Sequence, residues 1–193
     1  MTRAVASAFT LALLAACAPS VPPAEERTYA NPDSGYRYVT PPHWKFLRGE
    51  VRSPNATLIT IQAPSLDDAD EEFLAGLPES MEPQLLAWAQ HFYRVVDIPV
   101  RRRATLGGTP AMEMTYPVRI RPTDGPGKVT YLVARHASRV IVVRINYPPG
   151  VGAADDDGVR EFLDSWEFFT PTGGGEEMPP GNFVLTVPKK PGQ

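Results

Sequence analysis

The sequence is poor in the side chains from which catalytic and metal centres are usually built. It contains one cysteine and three histidines among 193 residues. A single cysteine excludes an intramolecular disulfide. The histidines His43, His91 and His136 form neither a His-Glu-x-x-His motif nor a His-x-His pair, and no Gly-x-Ser-x-Gly motif occurs. These absences predict no cofactor, no metal site and no enzymatic activity.

Positive charge and long apolar runs are also scarce. The 19 lysines and arginines are outnumbered by 22 aspartates and glutamates, which gives a formal net charge of −3. This distribution does not form the basic stripe that a nucleic-acid-binding surface requires, so we expect no nucleic acid among the partners. The apolar stretch at the N-terminus, residues 4–16, is shorter than the roughly 20 residues that a transmembrane helix needs.

The N-terminus instead has the pattern of an exported lipoprotein. Arg3 precedes the apolar stretch, which ends in Leu14-Ala15-Ala16-Cys17. A positive start, a short apolar region and small residues before a cleavage site are typical of a secretory signal peptide. The last four residues resemble the lipobox of bacterial lipoproteins, which predicts cleavage before Cys17. A conventional signal peptide that contains a cysteine by chance is the alternative.

Lipid on Cys17 would decide where the protein resides. The thiol accepts diacylglycerol, and the amine that cleavage frees accepts a further acyl chain such as palmitate. Two or more acyl chains hold a protein stably on a membrane. We therefore predict an exported protein that is anchored to a membrane by its lipid. Ala18 follows the cysteine. An aspartate at this position would favour another destination, so the alanine favours the periplasmic face of the outer membrane.

Composition divides the chain into four parts. Residues 1–16 form the predicted lipoprotein signal peptide, and residues 17–27, rich in proline and alanine, form a lipidated tether. Residues 28–170 have the patterning of one folded domain of ordinary size. Residues 171–193 contain three consecutive glycines and several prolines, and we interpret them as a flexible tail. Within that tail, Phe183-Val184-Leu185 could dock as a short strand.

The pattern of the domain combines strands with two helices. Apolar residues at spacings of three and four predict a helix over 81–96, capped by Ser80 and with Pro83 in its first turn. A second helix is predicted over 156–164. Alternation predicts strands over residues 36–39, 58–61, 101–106, 112–120, 129–134 and 140–147. The last three strands are joined by short turns, which predicts an antiparallel meander and an α+β class.

Three segments of this domain resemble the PsbP-like (Mog/PsbP) superfamily. They are Gly35-Tyr36-Arg37-Tyr38 followed by Pro42-His43-Trp44-Lys45, then Gly107-Gly108-Thr109-Pro110-Ala111 with a strand to Tyr116, and last Phe162-Leu163-Asp164-Ser165-Trp166-Glu167-Phe168. The resemblance covers most of residues 28–170. It implies a central antiparallel sheet flanked by helices, in an α/β/α sandwich. It also implies non-catalytic roles as a lipid-anchored subunit or a protein-binding adaptor, and it transfers no functional residue.

Two charged runs leave alternatives open. The acidic run 67–72 has the oxygen ligands that Ca²⁺ prefers, but it lacks the spacing of an EF-hand loop. A solvated run that leads into a short helix is the simpler interpretation. Arg101-Arg102-Arg103 either contact anionic lipid or a partner, or charge an edge strand and so deter aggregation. Strand alternation places Arg101 and Arg103 on one face and Arg102 on the other.

These patterns predict a membrane-anchored bacterial lipoprotein whose domain binds or assembles with another protein of the cell envelope. Five aromatic residues are expected to lie in the core: Trp44, Trp88, Phe92, Phe162 and Trp166. The alternative is a carrier of a small ligand or lipid, in which some of these rings line an apolar pocket.

Overall fold

The computed structural model describes residues 21–47, 49–120, 122–172 and 185–190. This part of the chain contains three α-helices: α1 (Glu71–Ala75), α2 (Glu82–Phe92) and α3 (Gly152–Asp164). None of the helices among the described residues is long and apolar enough to cross a membrane.

The described residues form two antiparallel sheets. The strands are β1 (Thr28–Asn31), β2 (Tyr36–Val39), β3 (Lys45–Leu47), β4 (Glu50–Arg52), β5 (Leu58–Gln62), β6 (Arg94–Val95), β7 (Val100–Leu106), β8 (Thr109–Ile120), β9 (Gly125–His136), β10 (Arg139–Tyr147) and β11 (Glu167–Phe168). The main sheet has the order β3-β4-β5-β10-β9-β8-β6, and β7 pairs with β8 beside β6. A smaller sheet has the order β1-β2-β11.

The predicted meander is the centre of the main sheet. Strands β8, β9 and β10 follow one another in space as they do in sequence, and each pair is antiparallel. Their side chains alternate between two apolar clusters on opposite faces. Ile141 and Val143 point into one cluster, and Val140 and Val142 point into the other. Because both faces are covered, every residue of β10 is buried.

Each face of the main sheet is covered by a different layer. Leu85 and Trp88 of α2 pack on one face, whereas Val159 and Phe162 of α3 pack on the other. The small sheet joins α3 on its face, since Tyr36 of β2 belongs to the same cluster. Helices on both faces of an antiparallel sheet confirm the predicted α+β fold.

The first long helix is shorter than its apolar pattern predicts. It begins at Glu82, after a turn of 3-10 helix, and ends at Phe92. Pro83 lies in its first turn as predicted, but Ser80 does not cap it. The Ser80 hydroxyl instead donates a hydrogen bond to the carbonyl of Phe73, at 2.8 Å. Val96 lies outside the helix, because the chain continues after Phe92 into the edge strand β6, which pairs with β8.

Pro117 lies inside β8, although β8 is not an edge strand. Strand β7 pairs with β8 up to Thr115, and β6 resumes the pairing at Val118. The missing N–H of Pro117 therefore falls where the neighbouring strand is interrupted, so no hydrogen bond of the ladder is lost.

The C-terminal segment 185–190 lies against the face that carries α2. Leu185 is 2% exposed, and its backbone N–H donates to the side chain of Gln62 at 3.0 Å. The backbone N–H of Lys190 donates to the carbonyl of Asp68. This part of the predicted tail is thus packed on the domain.

Candidate binding site

The residues predicted for lipid attachment, Leu14, Ala15, Ala16 and Cys17, lie outside the described residues. The three histidines lie in separate places. His136 stacks on Phe168, with ring centres 4.3 Å apart, and its Nε2 lies 2.8 Å from the carbonyl oxygen of Phe169. His43 and His91 are exposed. Within the described ranges, no group of three or more His, Cys, Asp or Glu side chains could hold a metal ion.

The acidic run has a structural role at the start of α1. The carboxylate of Asp70 accepts hydrogen bonds from the backbone N–H groups of Glu72 and Phe73, at 2.9 and 3.1 Å. This arrangement is an ordinary helix N-cap. Glu71 forms an ion pair with Lys190 of the C-terminal segment, at 3.0 Å. These side chains therefore stabilise α1 and the C-terminal segment.

A small cavity lies between α1 and the ends of the central strands. Its volume is about 190 Å³, and its walls include Leu74, Leu77, Pro110 and Val133. Sites that bury drug-sized ligands are usually about 300–1,000 Å³. The cavity is therefore too small to enclose a lipid chain, and Trp44, Trp88 and Phe92 do not line it.

An exposed apolar surface lies at the β6–β7 edge of the main sheet. We call Phe92, Val96, Ile98 and Val100 the edge surface. Their exposed fractions are 39%, 50%, 77% and 57%. Among the described residues, β7 pairs with β8 on one side and with no strand on the other. The edge surface therefore places apolar side chains beside the unpaired edge of β7.

The three consecutive arginines continue this edge. Arg101 forms an ion pair with Glu82 of α2 at 2.5 Å, and Arg102 forms one with Glu113 of β8 at 2.9 Å. Arg101 and Arg102 pair with Met114 and Glu113 of β8, which are neighbours in sequence and therefore point to opposite faces. The predicted alternation of the arginines is confirmed. Arg103 has no carboxylate partner in the part of the chain that the structure describes.

Beneath the edge surface, one arginine is buried in the face that α2 covers. Arg144 of β10 is 7% exposed. Its Cζ atom lies 4.3 Å from the ring centre of Trp88 and 5.1 Å from that of Phe92. These two rings stand one helical turn apart on α2, so both lie over the guanidinium. Burial lowers the pKa of Arg144, because the charged form loses solvation.

Arg144 belongs to a set of buried polar side chains that lack hydrogen-bond partners. We call this set the polar cluster: Thr60, Tyr116, Tyr131, Arg144 and Asn146. The pairing register places Thr60, Arg144 and Tyr131 side by side on β5, β10 and β9. Asn146 lies two residues further along the same face.

Burial also acts on the phenols of the polar cluster. Burial, together with the negative charge of Glu82, raises the pKa of Tyr116 to about 12. The pKa of Tyr131 is raised by burial as well. Both phenols therefore stay protonated at neutral pH and can donate hydrogen bonds.

The sequence pattern did not reveal Arg144 and Asn146 as site residues. In the alternating strand 140–147 they occupy positions that look solvent-facing. They are buried because α2 covers that face, and this long-range contact leaves no local signal. Phe92, which the pattern places in the core, is exposed at the end of α2. Trp44 is partly buried, whereas Trp88, Phe162 and Trp166 are core residues as predicted.

The architecture defines a PsbP-like α+β fold. The structure is similar to the solution structure of cyanobacterial PsbP (CyanoP) from Synechocystis sp. PCC 6803, with a TM-score of 0.53, 10% sequence identity, and coverage of 74% of this chain and 91% of that one. A crystal structure of a protein from Bacteroides thetaiotaomicron VPI-5482 is also similar, with a TM-score of 0.45, 9% identity, and coverage of 75% and 48%. No family model and no curated protein matches the sequence.

Proposed function

We propose that this chain is a membrane-anchored bacterial lipoprotein of the cell envelope that binds another protein without catalysis. The observation that carries the binding role is the edge surface, where Val96, Ile98 and Val100 are half or more exposed beside an unpaired strand edge. Soluble domains usually protect such an edge with charge or cover it. A partner that adds a strand here gains main-chain hydrogen bonds and covers apolar side chains.

The anchored state rests on the lipobox pattern that ends in Cys17. Lipid on Cys17 would hold the domain at the periplasmic face of the outer membrane and restrict its partners to proteins of the envelope. The tether 17–27 would leave the edge surface accessible above the lipid headgroups. The PsbP-like fold is compatible with a binding role.

Crosslinking in intact cells tests the binding role. The lipidated protein is crosslinked and captured, and its partners are identified by mass spectrometry. We expect one dominant envelope protein whose yield falls about tenfold or more in Ile98→Asp and Val100→Asp, because each places a charge in an apolar contact. The matched control is Phe46→Asp, at an exposed apolar position on β3, the opposite edge of the main sheet.

Two results would count against this proposal. One is the recovery of the same partner at full yield in both edge variants. The other is an equal loss in Phe46→Asp, which would place the contact elsewhere. Circular dichroism of each variant verifies that the fold is kept.

A carrier that encloses a whole lipid chain in an apolar pocket is not favoured by the described residues. The cavity beside α1 is about 190 Å³, and the aromatic rings expected to line a lipid pocket pack into the core or over Arg144.

A further inference from the structure

Among the described residues, two arginines are buried, and Arg144 differs from Arg139 in lacking a hydrogen-bond acceptor for its Nε and Nη1 groups. The guanidinium of Arg139, which is 6% exposed, donates to the carbonyl of Ala63 at 2.8 Å. In Arg144, the buried Nε and Nη1 atoms meet no acceptor within the described part of the chain. Glu50 is the carboxylate whose charge acts on it, but Glu50 forms its own ion pair with Arg52, at 3.5 Å.

The polar cluster presents more donors than acceptors. Arg144 offers three unpaired N–H bonds from Nε and Nη1, and Asn146 offers two from Nδ2 together with one unpaired acceptor atom, Oδ1. The hydroxyls of Tyr131 and Thr60 add two O–H donors. A buried polar group without a partner lowers stability because it loses its hydrogen bonds to water, and a buried charged group lowers it more. A single cation surrounded by neutral donors is therefore suited to an anion.

The charge and the surroundings narrow the class of anion. The cluster carries one positive charge, so a monoanion balances it, whereas a doubly charged phosphate would bring an excess negative charge into a buried site. The neighbouring Trp88 and Phe92 rings are apolar surfaces for a carbon chain. A carboxylate on an apolar body has both properties.

Phe92 provides the route from solvent. It is the last residue of α2, its ring lies over the guanidinium, and its side chain is 39% exposed. The next residue, Tyr93, is extended, with φ −136° and ψ 164°. Phe92 is therefore the partly exposed side chain past which a ligand would reach Arg144.

We propose that the polar cluster is a binding site for a small monocarboxylate with an apolar body. The carboxylate oxygens accept hydrogen bonds from Arg144 and Asn146, and the apolar body lies under the ring of Phe92. This site is distinct from the edge surface and from the protein-binding role proposed for that surface, although Phe92 belongs to both the site and the surface.

The test uses the full chain with Cys17→Ser, which removes the predicted lipid site. Hexanoate is titrated while the Nε–H signal of Arg144 and the side-chain amide signals of Asn146 are followed by NMR. We expect saturable shifts of both signals and a rise in thermal stability. Hexanamide, the uncharged analogue, and inorganic phosphate serve as comparison ligands and are expected to bind about tenfold more weakly or worse.

Variants then assign the binding to Arg144. Arg144→Lys keeps a positive charge but loses the planar donor set, and we expect about a tenfold loss of hexanoate affinity or more. Arg103→Gln is the matched control at an exposed arginine and should bind hexanoate as the parent does. Asn146→Leu provides a second variant of the site if Arg144→Lys does not fold.

Several outcomes overturn the proposal. They are the absence of a saturable shift in the parent, equal binding of hexanamide, tighter binding of phosphate, and unchanged hexanoate affinity in folded Arg144→Lys or Asn146→Leu. The first of these, together with lower stability in Arg144→Met, would make Arg144 a purely structural residue stacked on two rings.

Discussion

Among single residues, Asp155 links α3 to the turn between β4 and β5. Its carboxylate is 3% exposed and accepts hydrogen bonds from the hydroxyl of Ser53, at 2.5 Å, and from the side-chain amide of Asn55, at 2.8 Å. Burial raises the pKa of Asp155, but the hydrogen bonds from Ser53, Asn55 and neighbouring groups outweigh burial, so the pKa is lowered below 3.8.

A lowered carboxyl pKa makes stability depend on pH. The native state binds the proton of Asp155 less tightly than the unfolded chain, so this stabilisation is complete above 3.8 and is lost as pH falls through the lower native pKa. We expect Asp155→Asn to lower the free energy of unfolding by about 1–3 kcal/mol at neutral pH. The deficit should shrink in acid. Urea unfolding of the parent protein and of Asp155→Asn across the acid range measures this difference in the free energy of unfolding. A difference that grows in acid would contradict this account.

Gly35 is a residue whose side chain is excluded by its surroundings. Its φ is +70°, and an added Cβ would lie 2.4 Å from the carbonyl oxygen of Phe169. Gly150 has a similar φ of +77°, but nothing lies within 4 Å of its would-be Cβ. Gly35→Ala should therefore lower the free energy of unfolding by the conformational cost of about 1–2 kcal/mol and by a further cost of displaced backbone.

Gly150→Ala is the control for that prediction, because it incurs the conformational cost alone. Chemical denaturation of the two variants measures the difference between their free energies of unfolding. Equal stability of the two variants would show that the chain near Phe169 moves freely to make room.

At the scale of elements, the sequence pattern predicts the long strands well and the end of α2 poorly. Strands β8, β9 and β10 have clear alternation or β-branched runs, and turns separate them. The apolar positions up to Val96 continue the helical spacing, but Arg94–Val95 pair with β8 instead. Pairing with a strand more than 20 residues away, as Arg94 does with Arg119, competes with the local preference and leaves no trace in local spacing.

The C-terminal segment is a second element that composition alone does not predict. Leu185 is buried against the apolar cluster that contains Leu66 and Phe73, although prolines and glycines surround it in sequence. We expect Leu185→Ala to lower the free energy of unfolding by about 2 kcal/mol or more, because it removes buried methyl groups. Lys189→Ala, at an exposed position of the same segment, is the control in thermal unfolding. An unchanged free energy of unfolding in Leu185→Ala would show that the burial of Leu185 contributes nothing to stability.

For the whole molecule, the meander of β8, β9 and β10 and the α+β class are visible in the sequence, whereas the sheet with helices on both faces is implied by the PsbP-like resemblance. The polar cluster is not visible in the sequence. Its residues Thr60, Arg144 and Asn146 come from β5 and β10, which are distant in sequence but adjacent in the sheet. The small sheet β1-β2-β11 likewise joins the two ends of the domain through contacts of high sequence separation.

The proposed membrane attachment concerns the whole molecule and has its own prediction. Cys17→Ser should abolish labelling by a radioactive fatty acid and release the protein from the membrane fraction, because no acyl chain would remain. Ser7→Ala, inside the predicted signal peptide, should leave both unchanged. Normal labelling of Cys17→Ser would contradict the lipobox assignment.

The pairing of β1 with β2 has a mechanical consequence for a chain tethered at its N-terminus. Thr28 pairs with Val39 at the open end of this hairpin, and Asn31 pairs with Tyr36 beside its turn. Tension from the tether would load these hydrogen bonds one pair at a time, beginning at the open end. Arg27, which donates to the carbonyl of Thr40, is the first contact to bear the load. Unzipping β1 would lengthen the tether by roughly 14 Å, so this hairpin would act as an extensible link that yields before the main sheet.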